Sequence, residues 1–79
     1  MVKRTNLEIT AEILSLCKKP QTKTHVMYST NISWQMTQKY LSQLQSRGLL
    51  KVHHSVTKYA TTKKGLKFVE KWRELVELL

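Results

Sequence analysis

Aspartate is absent from this 79-residue chain, and its five acidic residues are all glutamates placed near the two ends. Glu8 and Glu12 stand near the start, Glu70, Glu74 and Glu77 near the finish, and no acid lies between Ile13 and Val69. Without an aspartate to orient a histidine, and with glutamates on helices away from the histidines, a Ser–His–Asp type of nucleophilic site is excluded. Two glycines, Gly48 and Gly65, are too few for a phosphate-cradling or dinucleotide loop. Cys17 is alone and cannot form an internal disulfide, which fits a reducing compartment. Cys17, His25, His53 and His54 match no zinc spacing, so no metal is expected. No run approaches the roughly 18 apolar residues of a membrane span. The stretch after Lys3 and Arg4 is interrupted by Glu8 and Glu12, unlike a secretory signal. These absences predict a small cytoplasmic protein, not an enzyme, with no cofactor and no small-molecule ligand.

What is present is positive charge. The formal net charge is +9. Lys18, Lys19, Lys23, Lys39, Arg47, Lys51, Lys58, Lys63, Lys64 and Lys67 all fall inside the acid-free stretch. A field of one sign favours a polyanion, nucleic acid before an anionic membrane.

Periodicity places the elements. Thr5 followed by Glu8 is a capping box, opening a helix that is expected to reach about Lys19 before Pro20 stops it. Its apolar residues cover more than half the circumference, so it should be buried on a wide side. Thr22 can cap a short second helix of about seven residues, with Val26 and Met27 inward. "STNIS" breaks the pattern, and Asn31 tolerates the left-handed conformation of a tight turn. Ser33 is the expected N-cap of a third helix from Trp34 to about Arg47, ending at Gly48, with Thr37, Tyr40, Leu41 and Leu44 inward. The period then changes. "LLKVHHS" and "KYATT", separated by about three residues near Val56, read as a two-stranded hairpin in which the neighbours His53 and His54 face opposite ways. Thr62 caps a last helix from Lys63 to the terminus. The fold class is therefore mainly α (α+β), in the order helix, helix, helix, strand, strand, helix, with residues 1–62 forming the domain body and 63–79 a C-terminal helix.

This is the order of a winged helix-turn-helix, in which the second helix of the motif enters the DNA major groove. The polar face of the third helix carries Gln35, Gln38, Lys39 and Ser42 at i, i+3, i+4, i+7, beside Ser33 and Trp34 at its start, and holds no carboxylate. Gln pairs with adenine edges, Lys reaches guanine or phosphate, and Ser serves either. Lys23 and Thr24 on the second helix, Lys51, His53 and Lys58 on the hairpin, and Lys63 and Lys64 beyond it are placed for phosphate contact. Trp34 and Trp72 read chiefly as packing anchors.

The stretch "KTHVMYSTNISWQMTQKYLSQLQSRGLL" followed by "KYATTKKG" resembles the small archaeal winged-helix DNA-binding proteins, which include ten-kilodalton chromatin-associated proteins of thermophilic archaea. The likeness runs from Lys3 to about Leu75. It implies duplex DNA binding, transcriptional regulation or a nucleoid role, and dimerisation through an antiparallel C-terminal helix. The final helix is shorter here than the long coiled-coil helix of the chromatin proteins.

The residues of that helix point the same way. Phe68, Trp72, Leu75 and Leu79 step by 4, 3 and 4, a seam of about two heptads that Val76 widens. A helix this apolar must bury two sides, and a small body covers one. A homodimer is expected. Three functions remain open: a sequence-reading regulator, a chromatin-type protein with little sequence preference, and a winged-helix protein-interaction module.

Overall fold

The structure, a computed structural model, describes residues 5–79; Lys3 and Arg4 lie outside them. Its elements are α1 (Asn6–Leu16), α2 (Lys23–Thr30), α3 (Trp34–Ser46), β1 (Leu50–His53), β2 (Lys58–Thr61) and α4 (Lys63–Glu77). This is the expected order.

Each helix starts where a hydroxyl can satisfy a free backbone N–H. Thr5 accepts from Glu8 N–H at 3.1 Å, Thr22 from His25 at 3.2 Å, Ser33 from Met36 at 3.1 Å and Thr62 from Gly65 at 3.1 Å. Asn31 ends α2 in the left-handed region, with φ 55°. Gly48 follows α3 at φ 75°, a turn that lets the chain reverse into β1.

α1 stops at Leu16, three residues before the expected end, and the reason is tertiary. Its last carbonyls are taken by other elements: the Thr61 hydroxyl donates to Leu14 O at 2.6 Å, Gln21 Nε2 to Leu16 O, and Thr61 N–H to Cys17 O at 2.9 Å. These bonds draw residues 17–21 to the hairpin. Gln21 then pairs with Tyr59 in both directions, N–H to carbonyl, at 3.0 and 2.7 Å. The wing therefore has a one-residue third strand that sequence patterning did not reveal.

β1 and β2 are antiparallel, with Leu50 opposite Thr61, Lys51 opposite Ala60, Val52 opposite Tyr59 and His53 opposite Lys58. Alternation puts Leu50, Val52 and Tyr59 on the core face and Lys51, His53 and Lys58 on the other. A four-residue loop, His54–Thr57, joins them. His53 ends β1 and His54 opens the loop, and both are exposed.

The core is one cluster, with Ile13, Leu14, Cys17, Val26 and Leu41 essentially sealed and Tyr40, Leu44, Leu50, Tyr59 and Val69 around them. Each such aliphatic side chain contributes about 1.5–3 kcal/mol by leaving water. Leu7, which the sequence groups with the apolar side of α1, is half exposed. α4 lies against α1 and the end of the hairpin through Gly65 and Val69.

Candidate nucleic-acid interface

α3 is held by its inward side and free on the other. Thr37, Tyr40, Leu41 and Leu44 are buried, whereas Gln35, Gln38, Lys39, Ser42 and Gln45 are exposed. Hydrogen bonds satisfy the inward hydroxyls, one within α3 and one across to α1. The Thr37 hydroxyl donates to Ser33 O at 2.9 Å, and the Tyr40 phenol donates to Asn6 Oδ1 on α1 at 2.6 Å. Rotation of α3 would break the second bond and empty the Leu41 site together, so the polar face is fixed in direction.

That face forms one wall of a concavity of about 560 Å³, whose polar lining is Lys23, Gln35, Gln38, Lys39, Ser42 and Gln45. Leu41 and Tyr59 form its apolar floor. Lys23 comes from the first turn of α2 and is carried here because Gln21, two residues earlier, is pinned to Tyr59. Its ammonium lies 5.2 Å from the centre of the Trp34 ring. Three residues of this concavity, Leu41, Gln45 and Tyr59, were not among the expected site residues, Leu41 being an expected core residue. Gln45 was within reach of sequence reasoning, since it extends the stripe at i+7 from Gln38. Tyr59 was not, because the pairing with Gln21 places it.

The remaining expected contact residues scatter. Thr24, Lys51 and His53 are exposed and Lys58 is half-buried. Lys63 is exposed at the start of α4. Lys64 is engaged within the fold: its Nζ donates to Arg47 O at 2.8 Å, while the Thr62 hydroxyl donates to Gly48 O at 2.6 Å. Both satisfy carbonyls at the end of α3, where a cation also complements the helix dipole. Tyr28 on α2 is 74% exposed, a further aromatic outside the expected set.

With four helices, a two-stranded wing and a projecting polar α3 in place, comparison with known proteins is informative. A family model described as winged helix-turn-helix matches residues 3–79. The chain is a winged helix-turn-helix protein. An uncharacterised Methanocaldococcus jannaschii protein, MJ0287, is 35% identical over 78 residues, covering 98% of this chain and 78% of its own. Among solved structures, Sso10a-2, a DNA-binding protein from Sulfolobus solfataricus, superposes with a TM-score of 0.80 at 30% identity, over 95% of this chain and 81% of that one. Lactococcus lactis ZitR shares the fold, with a TM-score of 0.69 at 22% identity, over all of this chain and 67% of that one. The resemblance to small archaeal winged-helix proteins is thus borne out.

Within this winged-helix protein the seam residues of α4 divide. Phe68 and Trp72 are half-buried against the body and Leu75 and Val76 are about half exposed, but α4 ends at Glu77 with Leu78 as its cap, so Leu79, expected on the helix, lies beyond its last turn and is bare. An open groove of about 920 Å³ runs between α1 and the end of α4, lined by Ala11, Leu16, Trp72, Val76 and Leu79, with Glu8 and Glu12 at its rim. Among the described residues no helix is long and apolar enough to cross a membrane, and no group of three metal-ligating side chains occurs.

Proposed function

We propose that this protein is a transcriptional regulator that binds double-stranded DNA as a homodimer, with α3 in the major groove and the β1–β2 wing on the flanking backbone. The observation that carries the reading is the α3 concavity: amides, a hydroxyl and two lysines facing one way, with no carboxylate anywhere from Ile13 to Val69. Amide side chains distinguish base edges and lysines supply phosphate affinity. That Sso10a-2, 30% identical, is a DNA-binding protein supports the same reading. Ser33, Gln35, Gln38, Lys39 and Ser42 would meet the groove, Lys23, Thr24, Lys51, His53 and Lys58 the backbone. Phe68, Trp72, Leu75, Val76 and Leu79 would meet the second copy, since solvent-exposed leucines at heptad spacing seek a partner.

The competing reading is a chromatin-type protein with little sequence preference. It is favoured by the share of contacts that lysines and short hydroxyls would direct to phosphate. Selection from a random duplex pool at physiological salt separates the two, because a regulator retains a specificity ratio of roughly 10³ or more. In the selected site, Gln38→Ala should relax preference at one base step, whereas Lys58→Ala should weaken all duplexes alike. Identical behaviour of the two variants would remove base readout by α3.

A further inference from the structure

We infer that Lys23 and Trp34 act as a single phosphate-binding unit, in which the indole holds the lysine ammonium at the mouth of the α3 concavity; this rests on the DNA-binding reading above.

The two residues occupy equivalent places on the two helices of the motif. Lys23 is the first residue of α2 and Trp34 the first of α3. Each backbone is fixed by a hydroxyl cap, Thr22 for α2 and Ser33 for α3. Pairing of Gln21 with Tyr59 fixes the approach to Lys23 as well. Between these fixed points the ammonium lies over the indole, 5.2 Å from its centroid, within the range of a cation–π contact. The same lysine lines the concavity with Gln35, Gln38 and Lys39. Trp34 remains 44% exposed, so the ring is a partly open platform and not a core side chain.

A lysine in solution samples many rotamers, and freezing it on a phosphate forfeits that freedom. The ring limits the search beforehand, which is preorganisation. An ammonium has three N–H donors and a compact charge. One side of it can therefore face the indole while N–H bonds reach a phosphate oxygen on the other. Sandwiching the cation between the negative ring face and an anion favours both contacts. The lining of the concavity that Lys23 enters holds no carboxylate. Trp34 is thus a positioning residue, acting on DNA through Lys23. Sequence alone places Trp34 at the start of the expected DNA-facing helix, chiefly as a packing anchor; the pairing gives it a positioning task.

The test is a double-mutant cycle on duplex affinity with its salt dependence. Wild type, Lys23→Met, Trp34→Ala, the double variant and Trp34→Phe are titrated against one duplex by fluorescence anisotropy across a salt series. Lys23→Met should flatten the log Kd–log salt slope by about 0.9, the loss of one phosphate contact. Trp34→Ala should flatten it by a similar amount although no charge is removed. The combined loss should fall short of the product of the single losses by about 2- to 5-fold, the strength of an exposed cation–π pair. Trp34→Phe should recover most of the slope, which a purely structural role for the indole would not require. Multiplying losses, or a Trp34→Ala slope equal to wild type, overturns the inference while leaving DNA binding intact. A wild-type protein that ignores duplex at low salt overturns both. Circular dichroism of each variant verifies folding; if Trp34→Ala fails to fold, Trp34→Leu, which keeps apolar bulk and removes the π face, takes its place, and a wild-type slope there overturns the inference.

Discussion

Gly65 sets two effects of opposite sign against each other. It lies in the first turn of α4, where replacing glycine by alanine ordinarily stabilises a helix by up to about 1 kcal/mol. Here a Cβ would overlap the Leu49 carbonyl oxygen and stand 2.5 Å from Thr61 Cγ2. Neither neighbour is free to retreat. Leu49 O accepts the Thr62 N–H at 3.0 Å, and Thr61 is tied by its hydroxyl to Leu14 O at 2.6 Å. Relief therefore requires α4 to lift off the hairpin, disturbing the Thr62 and Lys64 contacts that cap α3. Overpacking of this kind costs about 1–3 kcal/mol, and rigid backbone on one side argues for the upper end. The net expectation for Gly65→Ala is a loss of about 2 kcal/mol. For a domain of this size that lowers Tm by roughly 8–16 °C. The assay is thermal unfolding followed by far-ultraviolet circular dichroism, with the exposed Lys67→Ala as a control expected to stay within about 0.5 kcal/mol of wild type. A Gly65→Ala protein at least as stable as wild type would show that helix propensity wins and that the α4–hairpin contact is soft.

Other outcomes follow from single observations. Lys23, Lys39, Lys51 and Lys58 together should give a log Kd–log salt slope of about −3.6 per protomer, hence roughly a 150-fold loss of duplex affinity between 50 and 200 mM salt; a slope shallower than about −1.5 refutes the assigned phosphate contacts. Lys64→Ala should lower Tm by a few degrees yet barely alter that slope, because its ammonium is bonded to Arg47 O. Burial pushes the Cys17 thiol up from 9.0 to about 11. The unfolded chain then releases this proton first as pH rises, so the thiol's contribution to stability is complete below about pH 9 and is lost towards pH 11. Alkylation of native protein at pH 8 should accordingly be slow and become rapid in denaturant, as mass spectrometry would reveal. Thr57 holds φ 49°, an uncommon value for a β-branched residue, so Thr57→Asn should raise stability by about 0.5–1 kcal/mol in urea titration.

Much of the architecture was legible because its causes are local. All four N-caps are Ser or Thr hydroxyls standing directly before a helical pattern, and Asn31 and Gly48 take the left-handed conformations their positions suggested. The stripe Thr37–Tyr40–Leu41–Leu44 follows from helical spacing alone. What sequence could not supply was long-range. The early end of α1 depends on Thr61, 47 residues beyond Leu14. The third strand is a single residue, Gln21, too short to leave a periodic trace. The capping role of Lys64 is likewise hidden, since a lysine at the start of a helix after a basic hairpin resembles any other phosphate-seeking lysine. The exposed polar face of α3 was legible in outline from helical spacing, but the entry of Lys23 into the concavity beside it depends on tertiary placement.

The distribution of charge ties the two proposed interfaces together. Glu70, Glu74 and Glu77 lie on α4 at i, i+4 and i+7, and Glu8 and Glu12 border the groove between α1 and α4. The α3 concavity contains lysines and no acid. On α4 the glutamates are interleaved with cations, Lys71 pairing with Glu74 at 3.5 Å, so the acid-free α3 side attracts a duplex more strongly than that end does and biases the encounter before contact is made. The α1–α4 groove and the α3 concavity share no lining residue, so a second copy seated on the former would leave the latter open. On the proposed reading, dimerisation and DNA binding would use separate surfaces and would not compete. Each protomer would raise the effective concentration of the other at an adjoining half-site, adding avidity without any new DNA contact. Replacing Leu75 and Leu79 with lysine should therefore abolish the dimer in sedimentation and weaken binding to a paired site far more than to a single half-site, although it adds positive charge. A gain in paired-site affinity would mean that charge, not assembly, governs occupancy.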